Sequence, residues 1–246
     1  MSKQTGLLIC SFLLLVILSA CSSGEQTVSS EKSIDRGSNS GASVGTEMMD
    51  TKRIVETEQI VMKPERVYKV VIDPGHGGED PGATAVNGHF EKEFTLSMSK
   101  AIADVLEQDP EIQVDLTRTD DTFISTHELY RPKLANELNA DLFISIHGNT
   151  FDDSSVSGTE SFYYHDESLA FAEVIHRHVA AATGFKDRGV KKASYFVLRE
   201  TNMPATLLEL GYLTNPGNQG QMWSSAFQQS VASAIHEGIR EYLKLD

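Results

Sequence analysis

A chain of 246 residues can bury one sizeable core or two small ones. With 40% hydrophobic and 23% charged residues it is neither fibrous nor wholly disordered. Lys and Arg number 21 against 35 Asp and Glu, a formal charge of -14, which excludes the clustered basic surface that nucleic-acid binding requires. Cys10 and Cys21 are the only cysteines and lie near the start, so the body has no internal disulfide or thiolate metal site, and any metal must be held by His, Asp or Glu.

Lys3 opens the chain, Gly6 to Ala20 is uncharged and mostly apolar, and Leu18-Ser19-Ala20-Cys21 closes the run with small residues. This pattern reads as a secretory signal over residues 1–20, because the run is short of the roughly 20 apolar residues of a membrane span. The Leu-Ser-Ala-Cys tetrad resembles the lipobox of bacterial lipoproteins, which implies lipidation of Cys21 and a domain held outside the cytoplasmic membrane. Residues 21–66 are rich in Ser, Gly, Thr, Glu and Lys and poor in large apolar side chains before Ile54. Such a stretch cannot offset its chain entropy by burial and reads as a flexible tether, with an edge strand near Val61 as an addition.

Residues 67–246 read as one α/β domain. Val67 to Ile72 is a β-branched and aromatic run ended by Asp73-Pro74-Gly75, a buried strand and a turn. Phe94, Met98, Ala101, Ile102 and Val105 recur at helical spacing between Glu91 and Glu107. A strand at Ile112 to Leu116 precedes a helix around Glu128 to Asn139, in which Pro132 predicts a late start or a kink. Further strands are expected at Leu142 to Ile146, Glu160 to Tyr164 and Ala205 to Leu210, with helices at Glu167 to Ala182 and over the stripe from Trp223 to Tyr242. Alternation of this kind predicts a mostly parallel twisted sheet with helices on both faces, its strand C-termini gathered on one edge.

On that edge His76 follows the first strand, His147 follows the strand at 142–146, Glu209 ends a later strand and Glu91 begins the first long helix. Two imidazoles and a carboxylate can hold zinc tetrahedrally with a fourth position left for water, and a further carboxylate nearby can take the proton of that water. Spacing alone leaves structural roles open, since a His at a strand end is commonly hydrogen-bonded and a buried Glu commonly paired with Arg.

Ile72-Asp73-Pro74-Gly75-His76-Gly77-Gly78 with Asp80-Pro81-Gly82-Ala83, Glu91-Lys92, Ser145-Ile146-His147 and Leu208-Glu209-Leu210-Gly211-Tyr212-Leu213-Thr214-Asn215-Pro216 occur in that order. Together they resemble the zinc-dependent N-acetylmuramoyl-L-alanine amidases of the Amidase_3 type, with matching segments from about Tyr68 onward. The resemblance implies one Zn2+ per chain on His76, Glu91 and His147, and Glu209 as the catalytic carboxylate. It also implies hydrolysis of the amide between N-acetylmuramic acid and the L-Ala of the stem peptide in peptidoglycan. Arg199 becomes a candidate contact for stem-peptide carboxylates, which a guanidinium grips bidentately. Where the family commonly has His-Ala-Asn this chain has His147-Gly148-Asn149, a small-for-small change that spares the ligand. The competing reading is a catalytically silent wall-binding or regulatory module of the same fold. The presence of all four site residues favours the enzyme.

Overall fold

The computed structural model describes residues 66–245. The signal, the edge strand near Val61 and the tether as far as residue 65 lie outside the described residues. Arg66, assigned to the tether, is already tied to the body: its guanidinium pairs with Asp141 and stands over the Tyr68 ring. Among the described residues no helix is long and apolar enough to cross a membrane.

Among the described residues six strands form one sheet: β1 (Tyr68–Pro74), β2 (Ile112–Leu116), β3 (Leu142–Asn149), β4 (Thr159–Tyr163), β5 (Asp187–Lys192) and β6 (Ala205–Tyr212). Their spatial order is β2-β1-β3-β6-β4-β5. β1, β2, β3 and β6 run parallel, β4 is antiparallel to β6, and β5 is parallel to β4. The central strands are covered on both faces, so they read as unbroken apolar runs rather than alternating ones: Val70, Val71 and Ile72 of β1 and Leu142, Phe143 and Ile144 of β3 are all fully buried.

One face carries α1 (Glu91–Leu106), α3 (Leu169–Thr183, entered by a 3-10 turn at Asp166–Ser168) and α6 (Ser225–Leu243). Phe94, Met98, Ile102 and Leu106 form the buried stripe of α1, packed with Ile175, Val179, Val231 and Ile235 over Ile72, Ile144 and Leu208. The other face carries α2 (Tyr130–Glu137) and the single turn α4 (Phe196–Arg199), which cover Val71, Phe143, Ala205 and Leu207. A short α5 (Pro216–Met222) follows β6, capped by the Asn215 side chain accepting from the Asn218 N–H. The α/β class with helices on both faces is as the sequence predicts.

The differences are local. Of the two outcomes expected of Pro132 the late start is found: α2 begins at Tyr130 instead of Glu128, so the proline falls in the first turn, where its missing N–H has no intrahelical partner to lose. Trp223 ends α5 instead of opening the final helix, and packs on Phe94 with ring centroids 5.4 Å apart. The expected strand at 142–146 continues through His147, which pairs with Glu209 inside β6, so His147 stands on a strand and not on the loop beyond it, while Glu209 is on its strand as the sequence predicts.

Candidate metal centre

His76 is placed by a turn with a left-handed backbone. After β1 the chain reverses with His76 at φ 59°, a left-handed conformation that costs an ordinary residue about 1 kcal/mol or more. Two buried arginines hold it there. Arg131 Nη1 donates to Asp73 Oδ1 (2.6 Å) and the Pro74 carbonyl (2.5 Å), and its Nη2 donates to the His76 carbonyl at 2.6 Å. Arg118 donates to the carbonyls of Pro74 (3.1 Å) and Gly75 (2.8 Å). Asp73, fully enclosed, also accepts from Thr117 (2.6 Å) and Ser145 (2.7 Å). Burial raises its pKa, but Arg131 and these hydroxyls prevail and hold the carboxylate below its usual range. Gly75 is required by close approach, since a Cβ there would sit 2.3 Å from the His147 ring.

The three expected ligands converge. Glu91, at the first position of α1, directs Oε1 to within 3.1 Å of His76 Nε2 and 2.9 Å of His147 Nδ1. The two imidazoles meet edge to face with centroids 5.0 Å apart, and one ligand-type atom from each of the three residues lies within 4.8 Å of the others. Ala83 and Gly148 N–H groups donate to Glu91 at 3.0 and 3.1 Å, fixing the carboxylate. Gly148 thus helps to position Glu91 through its backbone. Burial opposes ionisation of Glu91, but both histidines outweigh it and draw its pKa far below the ordinary range. His76 Nδ1, the nitrogen turned away from the cluster, lies 2.9 Å from Asp80 Oδ2, the carboxylate–histidine arrangement that orients a metal ligand.

A cavity of about 350 Å³ opens over these groups, lined by His76, Glu91, His147 and Glu209, with Asn149 and Tyr195 among its walls. Glu209 reaches it from β6, one strand over from His147. Its Oε2 is buried with no hydrogen-bond partner among the described residues, and burial together with the carboxylates of Glu91 and Glu160 lifts its pKa well above the usual range. Glu160, beside it on β4, is spoken for: it accepts from Tyr212 Oη (2.6 Å) and Asn149 Nδ2 (2.8 Å) and pairs with Lys191. The site therefore holds two kinds of acid, ligand-type and unpartnered, in one cavity.

The family profile described as N-acetylmuramoyl-L-alanine amidase matches residues 70–241. The chain belongs to this family. It is 37% identical to N-acetylmuramoyl-L-alanine amidase LytC of Bacillus subtilis over 179 residues, covering 71% of this chain and 35% of that one. With the probable cell wall amidase LytH of Staphylococcus aureus it shares 33% over 175 residues, 70% of this chain and 57% of the other. It thus spans only about a third and a little over half the length of these curated relatives. The catalytic domain of the amidase CwlV from Bacillus (Paenibacillus) polymyxa aligns over 73% of this chain and all of its own, at 43% identity and a TM-score of 0.71. An N-acetylmuramoyl-L-alanine amidase of Clostridium difficile aligns over 74% of this chain and 99% of its own, at 35% identity and a TM-score of 0.70.

Of the residues singled out by the amidase resemblance, His76, Glu91, His147 and Glu209 share the cavity, and Arg199 is not among its lining residues. Its guanidinium donates to Glu200 (2.8 Å) and Ser194 (3.2 Å). Sequence reasoning missed the Asp73–Arg131 pair, the clamp of Arg118, and Glu160. Arg118 lies in a segment, Thr117 to Asp120, that shares the amidase resemblance, but its role and that of Arg131 were not visible, because most of their partners are main-chain carbonyls.

Proposed function

We propose that the protein is a zinc-dependent N-acetylmuramoyl-L-alanine amidase that hydrolyses the bond between N-acetylmuramic acid and the L-Ala of the stem peptide. The donor set fits the metal: two imidazole nitrogens and one carboxylate oxygen, clustered at the wall of an open cavity, match the three-ligand composition of hydrolytic zinc sites. His76, Glu91 and His147 would hold the ion, which when bound supplies Lewis acidity towards the substrate carbonyl and a water of lowered pKa. Asp80 keeps the His76 proton on Nδ1, leaving Nε2 free to ligate.

Glu209 would take the proton of the attacking water and deliver it to the departing amide nitrogen. A carboxyl whose pKa is raised above the usual carboxylate range, by burial first and then by Glu91 and Glu160, returns the proton to nitrogen more readily than an ordinary one. The observation that carries the reading is this carboxylate: buried, without a partner at Oε2, and in the same cavity as the ligand triad. A silent wall-binding module would have no need of it. Before the domain, residues 1–20 would serve as the signal, Cys21 would carry the lipid, and residues 21–65 would tether the enzyme outside the cytoplasmic membrane, facing the wall.

The test is mass spectrometry of purified peptidoglycan digested by the zinc-loaded protein, beside Glu209→Gln. Stem peptides with a free L-Ala amine, abolished by chelation and reduced at least about 10³-fold in the variant, support the reading. Intact muropeptides from folded, zinc-loaded protein overturn it in favour of a binding module.

A further inference from the structure

Hydrolysis of an amide places negative charge on the carbonyl oxygen, and a donor aimed at that oxygen from the protein adds to whatever a metal provides. The cavity contains five side chains able to donate through a hydroxyl, amide or guanidinium: Thr126, Arg131, Asn149, Thr150 and Tyr195. Arg131 is spent on Asp73 and two carbonyls, and Asn149 Nδ2 on Glu160. Thr126 enters from the loop after β2, at the edge of the sheet away from β6, and Thr150 is an exposed residue with a short reach. Tyr195 is exposed as well and, like the two threonines, its hydroxyl has no hydrogen-bond partner among the described residues, but its ring carries that hydroxyl further into the cavity than a threonine can reach.

The ring of Tyr195 is nonetheless fixed. It meets Phe162 edge to face, centroids 5.3 Å apart, and Phe162 on β4 pairs with Leu207 of β6, two residues before Glu209 and therefore on the same face of the sheet. Its carbonyl accepts from the N–H groups of Leu198 (3.1 Å) and Arg199 (3.0 Å), anchoring the main chain at the start of α4. The partly exposed ring thus packs on β4, next to the strand that carries Glu209, and lines the same cavity as Glu209 with its hydroxyl unpaired among the described residues. Burial and the nearby carboxylates Glu209 and Glu160 also raise the phenol pKa, so it stays protonated and able to donate at neutral pH.

We infer that Tyr195 is a further catalytic residue, donating a hydrogen bond to the scissile carbonyl oxygen as charge builds there. The inference rests on the amidase reading above. In the step it assists, the water oxygen bonds to the carbonyl carbon, the water proton passes to Glu209, and the carbonyl π pair moves onto oxygen, where the phenol holds it. Collapse re-forms the C=O bond and breaks the C–N bond while Glu209 returns the proton to nitrogen. No oxidant or cosubstrate is needed beyond water.

Tyr195→Phe removes one atom that makes no hydrogen bond among the described residues, so folding and metal binding give a built-in control. The expected result with a muramoyl peptide substrate is a fall in kcat of about 100-fold. KM should stay within about twofold, with zinc affinity and melting temperature unchanged. A kcat within about twofold of the parent, with the parent active, overturns the role of Tyr195 and leaves the amidase reading standing. A parallel rise in KM with kcat unchanged also overturns it, since that is loss of ground-state binding. A zinc-loaded parent that releases no stem peptide overturns both together.

Discussion

His147 on β3 and His176 on α3 each lie within hydrogen-bond distance of a carboxylate, 2.9 Å from Glu91 and 2.8 Å from Asp187, yet their surroundings differ in every other respect. His147 stands in a cavity with a second imidazole and Glu209. His176 is buried, and its other nitrogen lies 2.8 Å from the hydroxyl of Ser161, itself fully enclosed between β4 and the helices. Serine, histidine and aspartate in that order invite comparison with a hydrolase triad. A nucleophile with no exposure cannot meet a substrate, so the second cluster fastens α3 to β4 and β5. The pair teaches that residue type and contact distance do not separate a reactive histidine from a structural one. Access and unpaired neighbours do.

Truncating each histidine to alanine breaks the comparison most sharply. His147→Ala leaves two of the three proposed ligands and should abolish stoichiometric zinc and all amidase turnover, with the metal-free melting temperature nearly unchanged. His176→Ala should do the reverse: zinc stays at one per chain, while loss of a bridge between buried Ser161 and Asp187 costs about 1–3 kcal/mol of stability. Metal analysis and chemical denaturation of the metal-free variants decide it. Loss of zinc in His176→Ala with stability unchanged would collapse the distinction.

What the sequence displayed of the site follows the same division. His76, Glu91, His147 and Glu209 could be placed on one sheet edge because each adjoins a strand or helix terminus that periodicity and Gly-Pro punctuation make visible. The amidase resemblance then supplied their roles. β5 was not visible, because Asp-Arg-Gly-Val-Lys-Lys lacks alternation and pairs only at the sheet edge; α5, with two glycines and no apolar stripe, was equally silent. The buried network was hidden for another reason. Arg131 and Arg118 act on main-chain carbonyls, which every sequence possesses, so only the folded turn shows that they hold His76 in its left-handed conformation.

That network yields an effect of intermediate size. Arg131→Lys preserves the charge beside Asp73 but cannot reach the carbonyls of both Pro74 and His76. Zinc affinity should fall about 10–100-fold, the range found when the support of a ligand is removed. Chelator competition measures it, and the visible spectrum of the cobalt-substituted variant should change with the ligand geometry. An unchanged affinity in a folded variant would mean that the glycines alone set the turn.

The smallest effect belongs to the structural cluster and to pH. The hydrogen bond from His176 and then the Gly189 N–H hold the Asp187 carboxylate below its ordinary pKa. A depressed carboxylate contributes stability in full above the ordinary value of about 3.9, and loses it as pH falls through the folded value. Asp187→Asn cannot ionise, so its deficit against the parent should be constant from pH 7 to about 5 and shrink below about 4. The side chain is largely exposed, so solvent screening limits the difference to at most about 1 kcal/mol. Denaturant midpoints for both proteins across that range test it. A deficit that grows towards acid would reverse the sign and show that protonation of Asp187 strengthens its hold on His176.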